Sequence, residues 1–443
     1  MLSQTVIDSI SKRQAMIECF DITLTQNASN SPLIFSGPGC LYFEDSSLKL
    51  KQYSNSTTSQ STEIFTFFCS GNIGVVPESK YFTLEARDVS GKIWKNNRTL
   101  VQQGVNVTPT GTVLTLSLDS VTSQSQLDHS IEGGAALIIV NGTYQLPFNE
   151  YIDTGKGSRK LSKLVLSQER RTIEITQEEE RLLIKITDPE NIVELSSLFY
   201  ILEGISIAIG QLLEASFLAT RNGGAYEAYI QGSVSKSAYT LADPIVEIFP
   251  SKEAGLNSFL KMYLNARPKD LNHMVNYWQR LKDISSANTE AAALVLCVNI
   301  EGMVKNYFSE NIDLDEGTLE EIRQTQKFIK SSKSEIPAQG VSAILGFLGN
   351  IKTKTVSNVL TEMGTSGSVD PTHVKSWKDL RNTLAHADNS AVSSENFGKF
   401  VADLQNCLAL FARLIDLCVA HRSEELFAVV DGVENIDTDD QII

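Results

Sequence analysis

Closely spaced metal ligands and disulfide frameworks are what this sequence lacks. Its six cysteines (Cys19, Cys40, Cys69, Cys297, Cys407, Cys418) are scattered through 443 residues without a C-x-x-C pair. That excludes a stapled scaffold and a zinc-finger-type site, and it predicts reduced, mostly buried thiols. Only five histidines are present, and no His/Cys/Asp cluster has metal-ligand spacing, so no metal or other cofactor is expected. An excess of basic charge is also missing, the net charge being −15. A protein that coats nucleic acid over its whole surface is thereby excluded, though an enzyme that grips it at one local basic patch is not. The opening MLSQTVIDSISKRQAMIECF has no basic segment leading into an apolar run, so no signal peptide is read and a cytoplasmic chain is expected. N-x-S/T triplets such as Asn27–Ser29 and Asn141–Thr143 are then incidental. One apolar run, Leu195–Thr220, is long enough to span a bilayer. It contains Glu203, Gln211 and Glu214 and has no aromatic belt or basic flank, so it reads as a buried core helix and no membrane partner is expected. There is no internal repeat and no low-complexity tract.

What is present divides into two patterns. Over the first ~190 residues, short runs rich in Phe, Tyr, Ile, Val and Thr alternate with Gly, Pro, Asn and Ser clusters: ECFDITLTQ, GCLYFED, SLKLKQY, EIFTFFC, YFTLEARD, TVLTLSLD and ALIIVNGTYQL. This is the pattern of an antiparallel sandwich or barrel. Phe82–Asn96 reads as a hairpin turning at Asp88–Gly91, and Arg171–Thr187 as a second. From about Asp188 the periodicity becomes helical, with apolar residues three and four apart in KDLNHMVNYWQRLKDI and NTEAAALVLCVNIEGMVKNYF. The expected fold is therefore multidomain α+β: a β-rich domain over 1–190, a helical connector packing between domains over 191–250, an all-α bundle over 251–425 and an acidic tail over 426–443.

Near the C-terminus, after the loop GTSGSVDP, the chain reads SWKDLRNTLAHADNS. An Arg followed four to six residues later by a His is a weak pattern. With fourteen Arg and five His in the chain, about half a match arises by chance. Arg267 and His273 also satisfy it, but Pro268 interrupts that helix and no Asn follows the Arg. Requiring Asn382 beside Arg381 and the fixed gap to His386 lowers the chance expectation to the order of one in a hundred. On a helix starting near Pro371, the residues Val374, Trp377, Leu380 and Leu384 form one apolar stripe. Lys375, Asp379, Asn382 and His386 share the opposite face, and Arg381 lies at the border where its stem packs and its guanidinium reaches out. His386 falls at the helix end, a place that favours the imidazolium and suits a proton donor. The plain alternative is a snorkelling Arg and a His that caps a helix.

RNTLAH, in a terminal helical pair that follows AALVLCVNIEGMV, resembles the HEPN superfamily, whose ribonuclease members carry Arg-Asn-x-x-x-His. YFTLEARDVSGKIW followed by the apolar 195–220 segment is similar to the N-terminal domain of ApeA-type anti-phage defence proteins, in which a β-rich domain precedes a HEPN domain. The resemblance covers most of the chain and is specific at Arg381–His386. It implies a metal-independent endoribonuclease of abortive infection, acting on RNA, possible targets including tRNA, as a homodimer that pools Arg and His in one composite cleft. It further implies a phage-derived trigger, sensed or restrained by the β-rich domain. Arg381 would bind the scissile phosphate, His386 would act as general acid/base, and Asn382 would orient the site or bond the ribose or phosphate. The chemistry implied is attack of the 2′-OH on the adjacent phosphate. Asp379, Lys375 and Lys378 are supporting candidates, and Glu301 on the preceding helix is within conceivable reach of Arg381.

A second candidate is RQTQKFIKSSK, where Arg323, Lys327 and Lys330 share a helical face that Lys333 extends, a basic stripe able to guide RNA. The plain reading is a solvated face paired with Glu320 and Glu321. Two alternatives to the nuclease stand beside it. One is a non-catalytic HEPN scaffold that binds RNA or protein, with Arg381 and His386 only building an interface. The other is a toxin module controlled by a nucleotidyltransferase partner.

Overall fold

A computed structural model of the chain describes residues 2–54, 56–57, 75–101, 105–108, 111–126, 132–153, 159–168, 170–234, 243–284, 288–309, 316–332, 337–350, 355–385 and 396–433. The protein is α+β and divides into two compact units, Met1–Tyr239 with Val246–Lys261, and Thr240–Ile245 with Met262–Ile443. Among the described residues no helix is long and apolar enough to cross a membrane.

The first unit opens with helix α1 (Gln4–Ser11), whose N-terminus is capped by the Ser3 hydroxyl accepting from the Val6 N–H. Its strands are β1 (Met16–Gln26), β2 (Ile34–Glu44), β3 (Ser47–Ser54), β4 (Ser56–Thr57), β5 (Tyr81–Asp88), β6 (Ile93–Leu100), β7 (Val105–Thr108), β8 (Gly111–Ser117), β9 (Ser120–Gln126), β10 (Gly134–Asn141), β11 (Glu150–Asp153), β12 (Arg159–Gln168), β13 (Arg171–Gln177), β14 (Arg181–Asp188), β15 (Ala215–Asn222) and β16 (Ala225–Gln231). They form one antiparallel sheet in the order β11-β12-β13-β14-β10-β15-β16-β9-β6-β5-β1-β2-β3-β8-β7, with β4 beside β2. Both expected hairpins are present: β5 pairs with β6 (Leu84 opposite Asn96, Arg87 opposite Ile93) and β13 with β14 (Thr172 opposite Thr187). The EIFTFFC run lies outside the described residues.

The choice between sandwich and barrel resolves into a single sheet that bends back on itself. The Leu48 N–H donates to the Gly232 carbonyl at 2.7 Å, and the Leu48 carbonyl accepts from the Leu118 N–H at 2.9 Å. Gly232 admits no side chain here, since a Cβ would lie 1.8 Å from the Leu118 carbonyl oxygen. Alternation along the strands turns Leu24, Phe35, Leu41, Phe82, Trp94 and Phe217 into one core that Ile7 and Ile10 of α1 help to close.

Two expectations are corrected. The Leu195–Thr220 run is not one helix: α2 (Leu195–Ile209) ends at Gly210, whose φ of 66° is the left-handed cap conformation, and the chain re-enters the sheet as β15. A buried apolar run reads alike as helix or central strand, and β15 is buried between β10 and β16 on both sides. The 191–250 segment is accordingly not a helical connector, because β15 and β16 complete the sheet and the first unit extends well past residue 190.

Asp88 organises the turn of the β5–β6 hairpin. One carboxylate oxygen accepts from the Ser90 N–H (2.8 Å), the Ser90 hydroxyl (2.7 Å) and the Lys92 N–H (2.9 Å), and the other from the buried Trp94 indole N–H at 3.0 Å. Burial raises the Asp88 carboxyl, but the bonds from Ser90, Trp94 and Lys92 together outweigh it and hold the group below its ordinary value.

The helical elements are α3 (Glu253–Asp270), α4 (Asn272–Ile284), α5 (Thr289–Met303) continuing into a π-helical turn over Val304–Phe308, α6 (Glu316–Ser331), α7 (Ala338–Asn350), α8 (Val356–Thr365), α9 (Pro371–Ala385) and α10 (Phe397–Val433). Three details differ from expectation. Helix α3 runs two residues past Pro268 before breaking, because a proline in the last turn removes little of the hydrogen-bond ladder. Helix α8 occupies Val356–Thr365, a stretch for which the sequence reading names no element. Helix α10 continues to Val433, into the segment expected as an acidic tail. Of the five described cysteines all are free, with only Cys40 not buried; Cys69 lies outside the described residues.

Because the folded Asp88 carboxyl titrates below its unfolded value of 3.8, its contribution is complete above that pH and fades as the pH falls through the folded value. Asp88→Asn, which leaves the Trp94 indole N–H facing an amide, is expected to cost about 2 kcal/mol at pH 7. Denaturant melts from pH 7 down to pH 2 check this, and the difference from the wild-type protein should narrow at the acid end.

Candidate functional site

The motif helix α9 starts as its sequence dictates. Pro371 takes the first helical position, where the missing N–H is no loss, and the Asp370 carboxylate accepts from the Thr372 N–H and hydroxyl, each at 2.7 Å. Those bonds, the Thr372 hydroxyl first, hold Asp370 below the ordinary carboxylate range. Val374, Trp377 and Leu380 are buried as the stripe required, while Leu384 is half-buried. Trp377 is only 3% exposed and donates its indole N–H to the Cys297 carbonyl of α5 at 3.4 Å. On the other flank, Asn406 of α10 donates to the Ser376 hydroxyl at 3.0 Å.

Those contacts fix the phase of α9 and hence the place of Arg381. One turn beyond the Trp377–Cys297 bond, the Arg381 Nε donates to the Glu301 carboxylate. Its guanidinium carbon stands 6.0 Å from the Trp377 ring centre, and its side chain remains 49% exposed. The Lys305 ammonium lies 4.0 Å from the same Glu301 carboxylate. Beside this group opens a cleft of about 780 Å³ lined by Glu301, Lys305 and Ser309, by Thr355, Val356 and Ser357, and by Trp377, Lys378, Arg381 and Asn382. Lys378 is held against α8, its ammonium donating to the Thr361 hydroxyl at 3.0 Å.

The candidate residues are therefore separated into groups. Arg381, Asn382, Lys378 and Glu301 share the cleft. Asp379, expected on the same face as Asn382, turns instead to α10, where the Lys399 ammonium lies 3.2 Å away; the Asp379 bond raises the Lys399 pKa. Lys375 is exposed and does not line the cleft. His386 lies just past Ala385, outside the described residues. The basic stripe on α6 does not line the cleft either: Arg323 pairs with Glu320 at 3.4 Å, Lys327 and Lys330 are exposed, and Lys333 lies outside the described residues. Lys305, Ser309, Thr355 and Ser357 are cleft residues that the sequence reading missed. Only the spacing Glu301, Lys305, Ser309 on one helix face signalled part of them.

Chemically, the described residues lining the cleft set three cations against one carboxylate in a protein whose net charge is −15. A planar guanidinium with further N–H donors beside two ammonium groups, the Ser357 hydroxyl and an amide is a donor-rich surface suited to an oxyanion. Among the described residues no three His, Cys, Asp or Glu side chains gather where they could hold a metal ion. No protein-family model and no curated protein matches the chain.

Since Arg381 is half exposed, its pairing with Glu301 contributes little to stability. A double-mutant cycle with Arg381→Ala and Glu301→Gln, read by denaturant unfolding, is expected to give a coupling of about 1 kcal/mol or less.

Proposed function

We propose that the chain is a HEPN-type endoribonuclease of anti-phage defence that cleaves RNA without a metal ion. The observation that carries this reading is the placement of Arg381. It stands half exposed on a cation-rich cleft, next to Asn382 and at the end of the helix that leads to His386. In this reading the guanidinium takes two oxygens of the scissile phosphate, drawing away from Glu301 as it does so. One His386 of the homodimer accepts the proton of the 2′-OH, and the other gives one to the departing 5′-oxygen. The 2′-oxygen forms a bond to phosphorus as the bond from phosphorus to the 5′-oxygen breaks. The products are a 2′,3′-cyclic phosphate and a 5′-hydroxyl, so proton and electron count close without water. A homodimer supplies both roles from paired Arg and His residues, and the sheet-bearing unit answers a phage-derived trigger.

A second reading has its own observation. The Arg381–Glu301 ion pair bridges α9 and α5, so these residues would also serve a non-catalytic HEPN scaffold. Mutational kinetics separate the two. With RNA cleavage measured in EDTA, Arg381→Ala and His386→Ala are each expected to lose at least about 100-fold in rate while keeping the wild-type melting profile. Full activity in both variants would remove the nuclease reading, and cleavage abolished by EDTA in the wild-type protein would contradict the metal-free mechanism.

A further inference from the structure

We infer that the cleft beside Arg381 contains a second phosphate subsite, formed by Lys305 and Ser357, which grips the phosphate next to the scissile one and selects a polynucleotide strand over a mononucleotide. The inference rests on the RNA reading above and names residues beyond the Arg-Asn-x-x-x-His motif.

It begins with the end of α5. That helix does not stop at Met303 but widens into the π-helical turn Val304–Phe308, and such turns re-aim the side chains that follow. The turn is fixed from behind. Tyr277 packs on Gly302 so closely that a Cβ there would lie 2.3 Å from its hydroxyl oxygen, and the same hydroxyl accepts from the Asn306 amide at 2.9 Å. Tyr307 is anchored too, its hydroxyl donating to the Asp270 carbonyl and accepting from the Met274 N–H, both at 3.1 Å. With Asn306 and Tyr307 held on that side, Lys305 is left facing the cleft, while Ser309 lines it with its hydroxyl already donating to the Val304 carbonyl at 3.2 Å.

The charge of the cleft exceeds what one phosphate contact requires. Glu301 is shared between Arg381, which it binds directly, and Lys305, whose ammonium stands 4.0 Å away and whose side chain is 64% exposed. Once Arg381 engages a phosphate, Lys305 and Lys378 still outnumber Glu301. Across from Lys305, Ser357 presents a hydroxyl in the first turn of α8, where the helix field also favours an anion. The volume of about 780 Å³ accommodates more than a single phosphate group. A neighbouring phosphate of the same strand is the ligand whose charge and continuity match this arrangement.

The test reads binding apart from cleavage. A fluorescent 2′-O-methyl RNA oligonucleotide, which lacks the attacking hydroxyl, is titrated onto the full chain by anisotropy over a range of salt concentrations. Lys305→Gln and Ser357→Asp should each weaken binding about tenfold. For Lys305→Gln the slope of log K against log salt should drop by about 0.7, the value for one phosphate contact on a single strand. Circular-dichroism melts confirm that both variants fold. Wild-type affinity and slope in both variants would overturn the subsite even if the wild-type protein cuts RNA. Weakened binding in a protein that cuts no RNA would instead keep the subsite and remove the nuclease reading. Absence of oligonucleotide binding by the wild-type protein would remove both.

Discussion

Burial of Trp377 against α5 is the contact on which the candidate site depends. A buried indole whose N–H meets the Cys297 carbonyl admits one rotation of α9 relative to α5. That rotation brings Arg381 opposite Glu301 one turn later and opens the Arg381–Asn382 edge onto the cleft. Asn406 bonding Ser376 secures the opposite side of α9, so its polar residues are divided between two neighbours. Arg381, Lys378 and Asn382 go to the cleft, and Asp379 goes to Lys399. The core residue thus sets the functional geometry, while the polar residues themselves contribute little to holding it.

The same division leaves a locally cationic cleft in an acidic protein. A net charge of −15 repels polyanions at long range, and screening confines that repulsion to about 8–10 Å at physiological salt. Among the described residues lining the cleft the local balance has the opposite sign, because the one carboxylate there is already engaged by Arg381. Glu301 thereby orients the guanidinium.

How much of this was legible in the sequence depended on whether the relevant contact was local. The β5–β6 hairpin was legible because Asp88 and Gly91 carry the turn chemistry within a few residues of the strands they join. The apolar stripe of α9 was legible from periodicity alone. Leu195–Thr220 was misread because its apolar residues satisfy both a helix and a central strand, and only the neighbours β10 and β16 decide between them. The Arg381–Glu301 pair spans 80 positions, so sequence could name Glu301 as a candidate but not place it. Asp379 was named as a supporting candidate on the motif face, but its pairing with Lys399 was not legible, because a helical wheel knows the face of a residue but not which helix packs there. Lys305 and Ser309 show only as a four-residue spacing from Glu301, and Ser357 not at all, since the short α8 leaves no periodic signature.

The central claim, that this cleft performs transesterification on RNA, is tested most directly by the chemistry of the cut ends. Defined RNA, including a tRNA pool, is incubated with the wild-type protein in EDTA and the fragments are weighed by mass spectrometry. The account predicts 2′,3′-cyclic phosphate and 5′-hydroxyl termini. Fragments ending in 3′-hydroxyl and 5′-phosphate would contradict it.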